Sequence, residues 1–102
     1  MLSGFVEVED GRLFYEAAGD DGPAVVMIHP GLWDRRAWDD KFEAFAERCR
    51  VVRYDVRGYG RSTRPDGLRT SHVRDLAALL DALGVCFVEF NRAVLGFLGE
   101  VL

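Results

Sequence analysis

Ala24-Val25-Val26-Met27-Ile28-His29-Pro30-Gly31 is the stretch on which the fold turns. Five apolar residues run without alternation and stop at a turn-forming trio. Alternation would mark a strand with one wet face. Its absence predicts a strand covered on both faces, which in practice means a parallel sheet between helices. Upstream, residues 5–9 and 12–18 are β-prone runs separated by Asp10-Gly11. That dipeptide predicts a hairpin through a type I′ turn, which needs positive φ at both central positions. Gly19-Asp20-Asp21-Gly22-Pro23 is a turn cluster leading into the apolar strand.

Downstream, Trp38 to Arg48 predicts a helix. Trp38, Phe42, Phe45 and Ala46 share one face, and Asp39, Asp40, Lys41, Glu43, Glu47 and Arg48 fill the remainder. Val51-Val52-Arg53-Tyr54-Asp55 is the next strand, and a loop rich in Gly, Arg and Pro follows to Leu68. Thr70 or Ser71 can cap a helix running to about Leu83, with Val73, Leu76, Ala77, Leu80 and Leu83 as its apolar stripe. Gly84 is a natural C-terminal stop. In the tail, Phe87, Phe90, Val94, Phe97, Leu98 and Val101 trace one face of a third helix over about 88–101. Gly96 and Gly99 each cost such a helix about 1 kcal/mol relative to Ala, so tertiary contact must hold it. Val85–Phe90 could instead pair at a sheet edge.

The 102 residues, 49% apolar and 29% charged, suit one domain over 1–102 with a single modest core. No apolar stretch approaches the roughly 18 residues of a membrane span. Met1-Leu2-Ser3-Gly4-Phe5-Val6-Glu7-Val8 has no basic patch leading into an apolar run, so no signal peptide and no membrane partner are expected. A net charge of -4 argues against general nucleic-acid binding. Cys49 and Cys86 fit neither a disulfide framework nor a zinc pattern, which suits reduced, partly buried thiols in a cytoplasm. No metal or other cofactor is expected.

A second stretch, Asp55-Val56-Arg57-Gly58-Tyr59-Gly60-Arg61-Ser62, sits at the end of the second apolar strand. With strand 24–28, His29-Pro30-Gly31, a helix and strand 51–55 in this order, residues 5–85 resemble an α/β-hydrolase. Esterases, C–C hydrolases, epoxide hydrolases and haloperoxidase-like proteins are similar. The resemblance implies a truncated α/β-hydrolase-like sheet of about four strands, an N-terminal hairpin plus two parallel strands, with three helices. It implies hydrolysis of ester-like or related bonds by a Ser–His–acid triad. It places His29-Pro30-Gly31 in the oxyanion loop, where the backbone N–H of Gly31, or of Leu32 beside it, would be one donor to a developing alkoxide. It also makes Asp55, Arg57, Gly58, Gly60 and Ser62 a structural turn, with Asp55 accepting hydrogen bonds from the Arg57-Gly58 turn.

Family members next enter a fifth strand that delivers a Gly-x-Ser-x-Gly nucleophile elbow. No such motif occurs here. Residues 87–98 look like the family's final helix, so the chain reads as the first four strands joined directly to the last helix near Val85-Cys86. The elbow, the acid, the cap region and the catalytic His are then expected to be missing. Without the fifth strand, strand 24–28 would keep an unpaired edge. Val85–Phe90, the final helix or a second chain in a homodimer could cover it.

Other residues must be weighed as substitutes for the triad. The serines are Ser3, Ser62 and Ser71, and the histidines His29 and His72. A Ser62–His29 dyad would join loops at the carboxyl ends of adjacent strands, but it also needs an orienting acid and a second oxyanion donor. In the family a His here usually fixes the loop, and the Ser fixes its turn. Ser71-His72 reads as an N-cap beside an exposed His. Trp33 could line a ligand pocket, whereas Trp38 fits the core stripe. Arg53, Arg57, Arg61, Arg64, Arg69 and Arg74 could bind phosphate or RNA, but with few aromatics among them a solvated loop face is expected. The chain is therefore expected to be a hydrolase by descent, inactive alone. The competing expectations are a self-associating small-ligand or protein-interaction module, and a minimal enzyme using Ser62.

Overall fold

Antiparallel pairing opens the sheet one residue away from where Asp10-Gly11 places it. The computed structural model describes residues 1–19, 24–64 and 71–84. In it β1 (Leu2–Val8) pairs with β2 (Gly11–Ala18), with Val8 opposite Gly11. The loop residues are therefore Glu9 and Asp10, and only Asp10 is left-handed, with φ 57°. The type I′ expectation is corrected accordingly. Gly11 belongs to the strand, and it is glycine for room: a Cβ there would lie 2.8 Å from the Thr63 Cβ. Thr63 accepts from the Arg12 N–H at 2.9 Å and donates its own N–H to the Arg12 carbonyl at 3.0 Å. The loop after the fourth strand is thus stitched to the start of β2.

The sheet has four strands in the order β1-β2-β4-β3, with β3 (Ala24–Ile28) parallel to β4 (Arg50–Tyr54) and the other pairings antiparallel. Ala24 to Met27 are buried and Ile28 is exposed. The unalternating run has its expected cause: both faces are covered. On one face Val6, Leu13, Ala24, Val26, Val52 and Tyr54 pack with Leu79 and Leu80 of the second α-helix. On the other, Val25, Met27 and Val51 pack with Phe42 and Cys49. Burial pushes the Cys49 thiol up, away from its reactive form.

The first helical segment begins as a 3₁₀ turn, Arg35–Trp38, which Asp34 caps by accepting from the Arg36 N–H at 2.9 Å. It continues as α1 (Asp39–Ala46). Phe42 is buried, and Trp38, Phe45 and Ala46 pack against the core, as their spacing requires. The second helix, α2 (His72–Ala82), is capped by Ser71, whose Oγ accepts from the Arg74 N–H. Its expected apolar stripe is met in part: Leu80 is buried and Leu76 and Leu83 pack against the core. Val73 is 78% exposed and Ala77 is exposed, while Asp75, Leu79 and Leu80 are buried. The reason is an ion pair. Arg57 donates from Nε and Nη2 to the two Asp75 oxygens, at 2.9 Å each, and its remaining donors reach the Glu9 and Asp10 carbonyls. A charge pulled inward sets the helix's rotation, and Val73 lies outside the core. The third helix and the Val85–Phe90 pairing expected from the sequence lie outside the described residues.

Removing one partner of a buried pair leaves an uncompensated charge and costs about 3–5 kcal/mol. Asp75→Ala should therefore lower the urea midpoint steeply, and Arg57→Met with Asp75→Leu should recover much of the loss. A second expectation concerns alkaline pH. Burial, reinforced by the nearby charge of Asp75, pushes the Tyr54 phenol up to about 12 from its ordinary 10.0. The folded state keeps this proton after the unfolded chain has lost it. Its stabilising contribution is full below pH 10 and falls away toward about 12. Urea midpoints followed across that window should fall less for Tyr54→Phe than for the parent chain.

Candidate functional site

Asp55 lies just past the end of β4, fully buried, and uses every polar atom it has. Its N–H donates to the Phe14 carbonyl at 3.0 Å. Oδ1 accepts from the Arg35 N–H at 2.6 Å, and Oδ2 accepts from Arg35 Nη1 at 3.0 Å and from the Arg61 N–H at 2.9 Å. Its carbonyl accepts from the Ser62 hydroxyl. The expectation that Asp55 serves the Arg57-Gly58 turn is corrected: Arg57 is drawn to Asp75, and the Gly58 N–H donates to the Thr63 carbonyl at 2.8 Å. Gly60 makes the arrangement sterically feasible. It has φ +50°, and a Cβ would lie 2.2 Å from Asp55 Oδ2. Only a hydrogen fits between that backbone and the carboxylate.

His29 and Ser62 reach the same end of the sheet with their polar atoms engaged. His29 Nε2 accepts from the Val56 N–H at 2.9 Å, which leaves the proton on Nδ1 to meet the Pro30 carbonyl at 2.8 Å. The imidazole also stands edge-on to Tyr59, with ring centroids 5.4 Å apart. Ser62 Oγ accepts from the Phe14 N–H at 2.9 Å while donating to Asp55. No hydrogen bond joins Ser62 to His29; each instead fixes a loop to the sheet.

Between His29 and the 3₁₀ turn, the Trp33 N–H donates to the Pro30 carbonyl, closing a β-turn with Gly31 and Leu32 at its centre. Leu32 is left-handed, φ 70°, whereas Gly31 has no positive φ, which defines a type II turn. Such a turn normally takes Gly at the position Leu32 holds, and a side chain there costs about 1–2 kcal/mol. Leu32 is 91% exposed, so packing does not offset the cost. Among the described residues the N–H groups of Gly31 and Leu32 have no hydrogen-bond partner. The loop thus presents two unengaged donors on a strained turn.

A charge network braces this loop from below. Glu16 Oε1 accepts from Arg35 Nε and Arg53 Nε, each at 2.9 Å, and Arg53 Nη1 meets Asp39 Oδ1 at 2.6 Å. Arg35 and Arg61 stack over Phe14 at 4.6 and 4.2 Å, and Arg53 over Phe42 at 4.3 Å. The arginine-rich stretch is therefore only partly a solvated face. Arg53 and Arg57 are internal; Arg61, Arg64 and Arg74 are exposed, and Arg69 lies outside the described residues. Sequence patterning missed Glu16, Asp39 and Asp75. For two of them the signal was an acid at an otherwise apolar register position, Glu16 two residues from Phe14 and Asp75 four from Leu79, whereas Asp39 sits on the exposed side of α1 and carried none.

Two depressions flank the turn. A groove of about 390 Å³ lies past the carboxyl end of β3, between Ile28, His29, Val56, Tyr59, Val73 and Leu76. Trp33, 62% exposed, stands at the rim of a shallower, more polar cavity of about 600 Å³ with Arg36, Tyr59 and Arg64. Trp38 packs in the core instead, as expected.

Deleting the Ser62 hydroxyl would orphan the Phe14 N–H and the Asp55 carbonyl, two buried groups. Ser62→Ala should therefore lose roughly 1–3 kcal/mol of unfolding free energy, read from urea denaturation.

The sequence model of the Alpha/beta hydrolase family matches residues 25–97. "Probable oxidoreductase EphD" of Mycobacterium tuberculosis is 36% identical over 85 residues, covering 81% of this chain and 14% of that protein. The "Bifunctional esterase/perhydrolase DCH" of Acinetobacter calcoaceticus is 39% identical over 88 residues, covering 80% and 32%. The bromoperoxidase structure from Bacillus anthracis superposes with a TM-score of 0.72 at 31% identity, over 81% of this chain and 32% of that one. The chain thus spans a third or less of the length of these relatives. Motifs, sheet order and relatives agree: this chain belongs to the α/β-hydrolase family.

Proposed function

We propose that this chain carries the oxyanion-loop part of a hydrolase acting on ester-like bonds, and that it is catalytically incomplete by itself. The observation that carries this reading is the turn Pro30–Trp33. Two N–H donors, of Gly31 and Leu32, are left unengaged on a backbone strained at Leu32. Strain of this kind persists where the surroundings over-determine it, and it clusters at functional sites. His29 serves the turn by bonding both Val56 and Pro30, so its ring is a brace rather than a base. Ser62 likewise has no acceptor free to take its proton in a nucleophilic step. A relative carrying the name esterase/perhydrolase supports the ester-like class. The buried thiol of Cys49 suits a reducing compartment, which supports a cytoplasmic site of action.

A second reading, a non-catalytic small-ligand or protein-interaction module, is favoured by the apolar groove of about 390 Å³ beside His29. Hydrolysis of p-nitrophenyl acetate tests the incomplete-enzyme reading against a minimal enzyme that uses Ser62. The parent chain should show no turnover above the uncatalysed background, and folded Ser62→Ala should match it. Turnover that disappears with Ser62→Ala would overturn the incomplete-enzyme reading and make Ser62 the nucleophile.

A further inference from the structure

The turn Pro30–Trp33 is fixed at its ends and unheld at its centre. The Pro30 carbonyl accepts from His29 Nδ1 at 2.8 Å and from the Trp33 N–H at 3.3 Å. Two residues on, the Arg35 N–H donates to Asp55 Oδ1. Among the described residues, no hydrogen bond engages the peptide that joins Gly31 to Leu32. Nor is it crowded by them. Leu32 is 91% exposed, and the one described atom within 4 Å of where a Gly31 Cβ would stand is the Tyr59 hydroxyl oxygen, at 3.9 Å. The two central residues also stand in the reverse of their preferred order. A type II turn wants glycine at its third position and tolerates most residues at its second. Here Gly31 is second, and Leu32, third, has φ 70°. A left-handed leucine is disfavoured about 5- to 30-fold.

A half-rotation of the Gly31–Leu32 peptide removes that penalty. It converts type II into type I, in which φ is negative at both central positions. The Cα atoms stay where the ends hold them, and the hydrogen bond from Trp33 to Pro30 is kept. What changes is the direction of one N–H. In type II the Leu32 N–H points away from that of Gly31. In type I the two point the same way, like successive donors in the first turn of a helix. Parallel N–H dipoles repel one another unless an acceptor lies before them, and this opposes the relief at Leu32. We propose that the Gly31–Leu32 peptide is a two-state switch. Type II is its resting form. An anionic oxygen, of a carboxylate or a developing alkoxide, draws the peptide into type I, where both N–H groups hold it. The switch deepens, and rests on, the oxyanion-loop reading of this turn. Binding then releases the strain at Leu32, so the residue that is least suited to the resting turn favours the receptive one.

The test is NMR of the whole isotopically labelled chain. A type II turn gives a strong Overhauser contact from Gly31 Hα to the Leu32 N–H, and a type I turn a strong contact between the two N–H protons. The parent chain should show the first pattern, with microsecond-to-millisecond exchange at the Leu32 amide. Sodium acetate should shift it toward the second, and neutral acetamide should not. Leu32→Gly lifts the penalty on type II, so the type I fraction and the apparent acetate affinity should both fall about 5- to 30-fold. Leu32→Ile, β-branched and worse in the left-handed region, should raise both. The position is exposed, so circular dichroism should report an unchanged fold for each variant. Acetate bound at the Gly31 and Leu32 amides with the type II pattern kept, or bound equally by Leu32→Gly, would overturn the switch and leave the oxyanion-loop reading standing. Exchange that follows the Leu32 series but ignores acetate would overturn that reading, and the ligand-driven switch with it. A turn that neither exchanges nor binds acetate would overturn both.

Discussion

One buried carboxylate holds the upper end of this sheet together. Asp55 ties β4 to β2 through the Phe14 carbonyl, the β3–α1 loop through both the backbone and the guanidinium of Arg35, and the following turn through Arg61 and Ser62. An ionised carboxylate away from water is costly unless its lone pairs are filled. Here the filling comes from two separate segments, Arg35 before α1 and Arg61 in the turn after β4. The cost of leaving Asp55 unsatisfied becomes a constraint on their relative positions. Gly60 follows from the same constraint, since its backbone must pass where no Cβ fits.

The neighbouring charges work in the same manner and explain why charge content and burial part company in this chain. Arg53 and Arg57 lie inside the fold because each meets acids of another segment: Glu16 and Asp39 for the first, Asp75 for the second. Buried ion pairs contribute little net stability against apolar residues of similar volume. What they enforce is geometry. The fork from Arg57 to Asp75, extended to the Glu9 and Asp10 carbonyls, locks α2 to the tip of the hairpin and sets the helix's rotation.

Much of the architecture was legible in the residues themselves. The unalternating run 24–28, the periodicity of Trp38, Phe42 and Phe45, the Ser71 cap and the stop at Gly84 all reported local structure correctly, because burial imposes its period on apolar side chains. What stayed hidden was pairing between charges far apart in the chain. Apolar periodicity assigned Val73 to the core and passed over Asp75, because it counts hydrophobic side chains and has no term for an acid drawn inward by Arg57. The hairpin slipped by one residue for a related reason. Asp10-Gly11 signals conformational freedom, but the demand on Gly11 is space beside Thr63, a residue of a distant loop. The strained turn at Leu32 had no sequence signature beyond the motif around His29, since Leu is an ordinary residue placed in an unusual conformation.

The two tryptophans give the molecule a property separate from its chemistry. Trp33 stands in solvent on the loop that follows β3, and Trp38 packs a few residues later against the core around Phe42. Their indoles inhabit different dielectric surroundings within a single short segment. Intrinsic fluorescence should thus divide into a red, readily quenched component from the loop and a bluer, protected one from the interior. The first reports on what settles over the loop, and the second on whether the fold beneath it is intact.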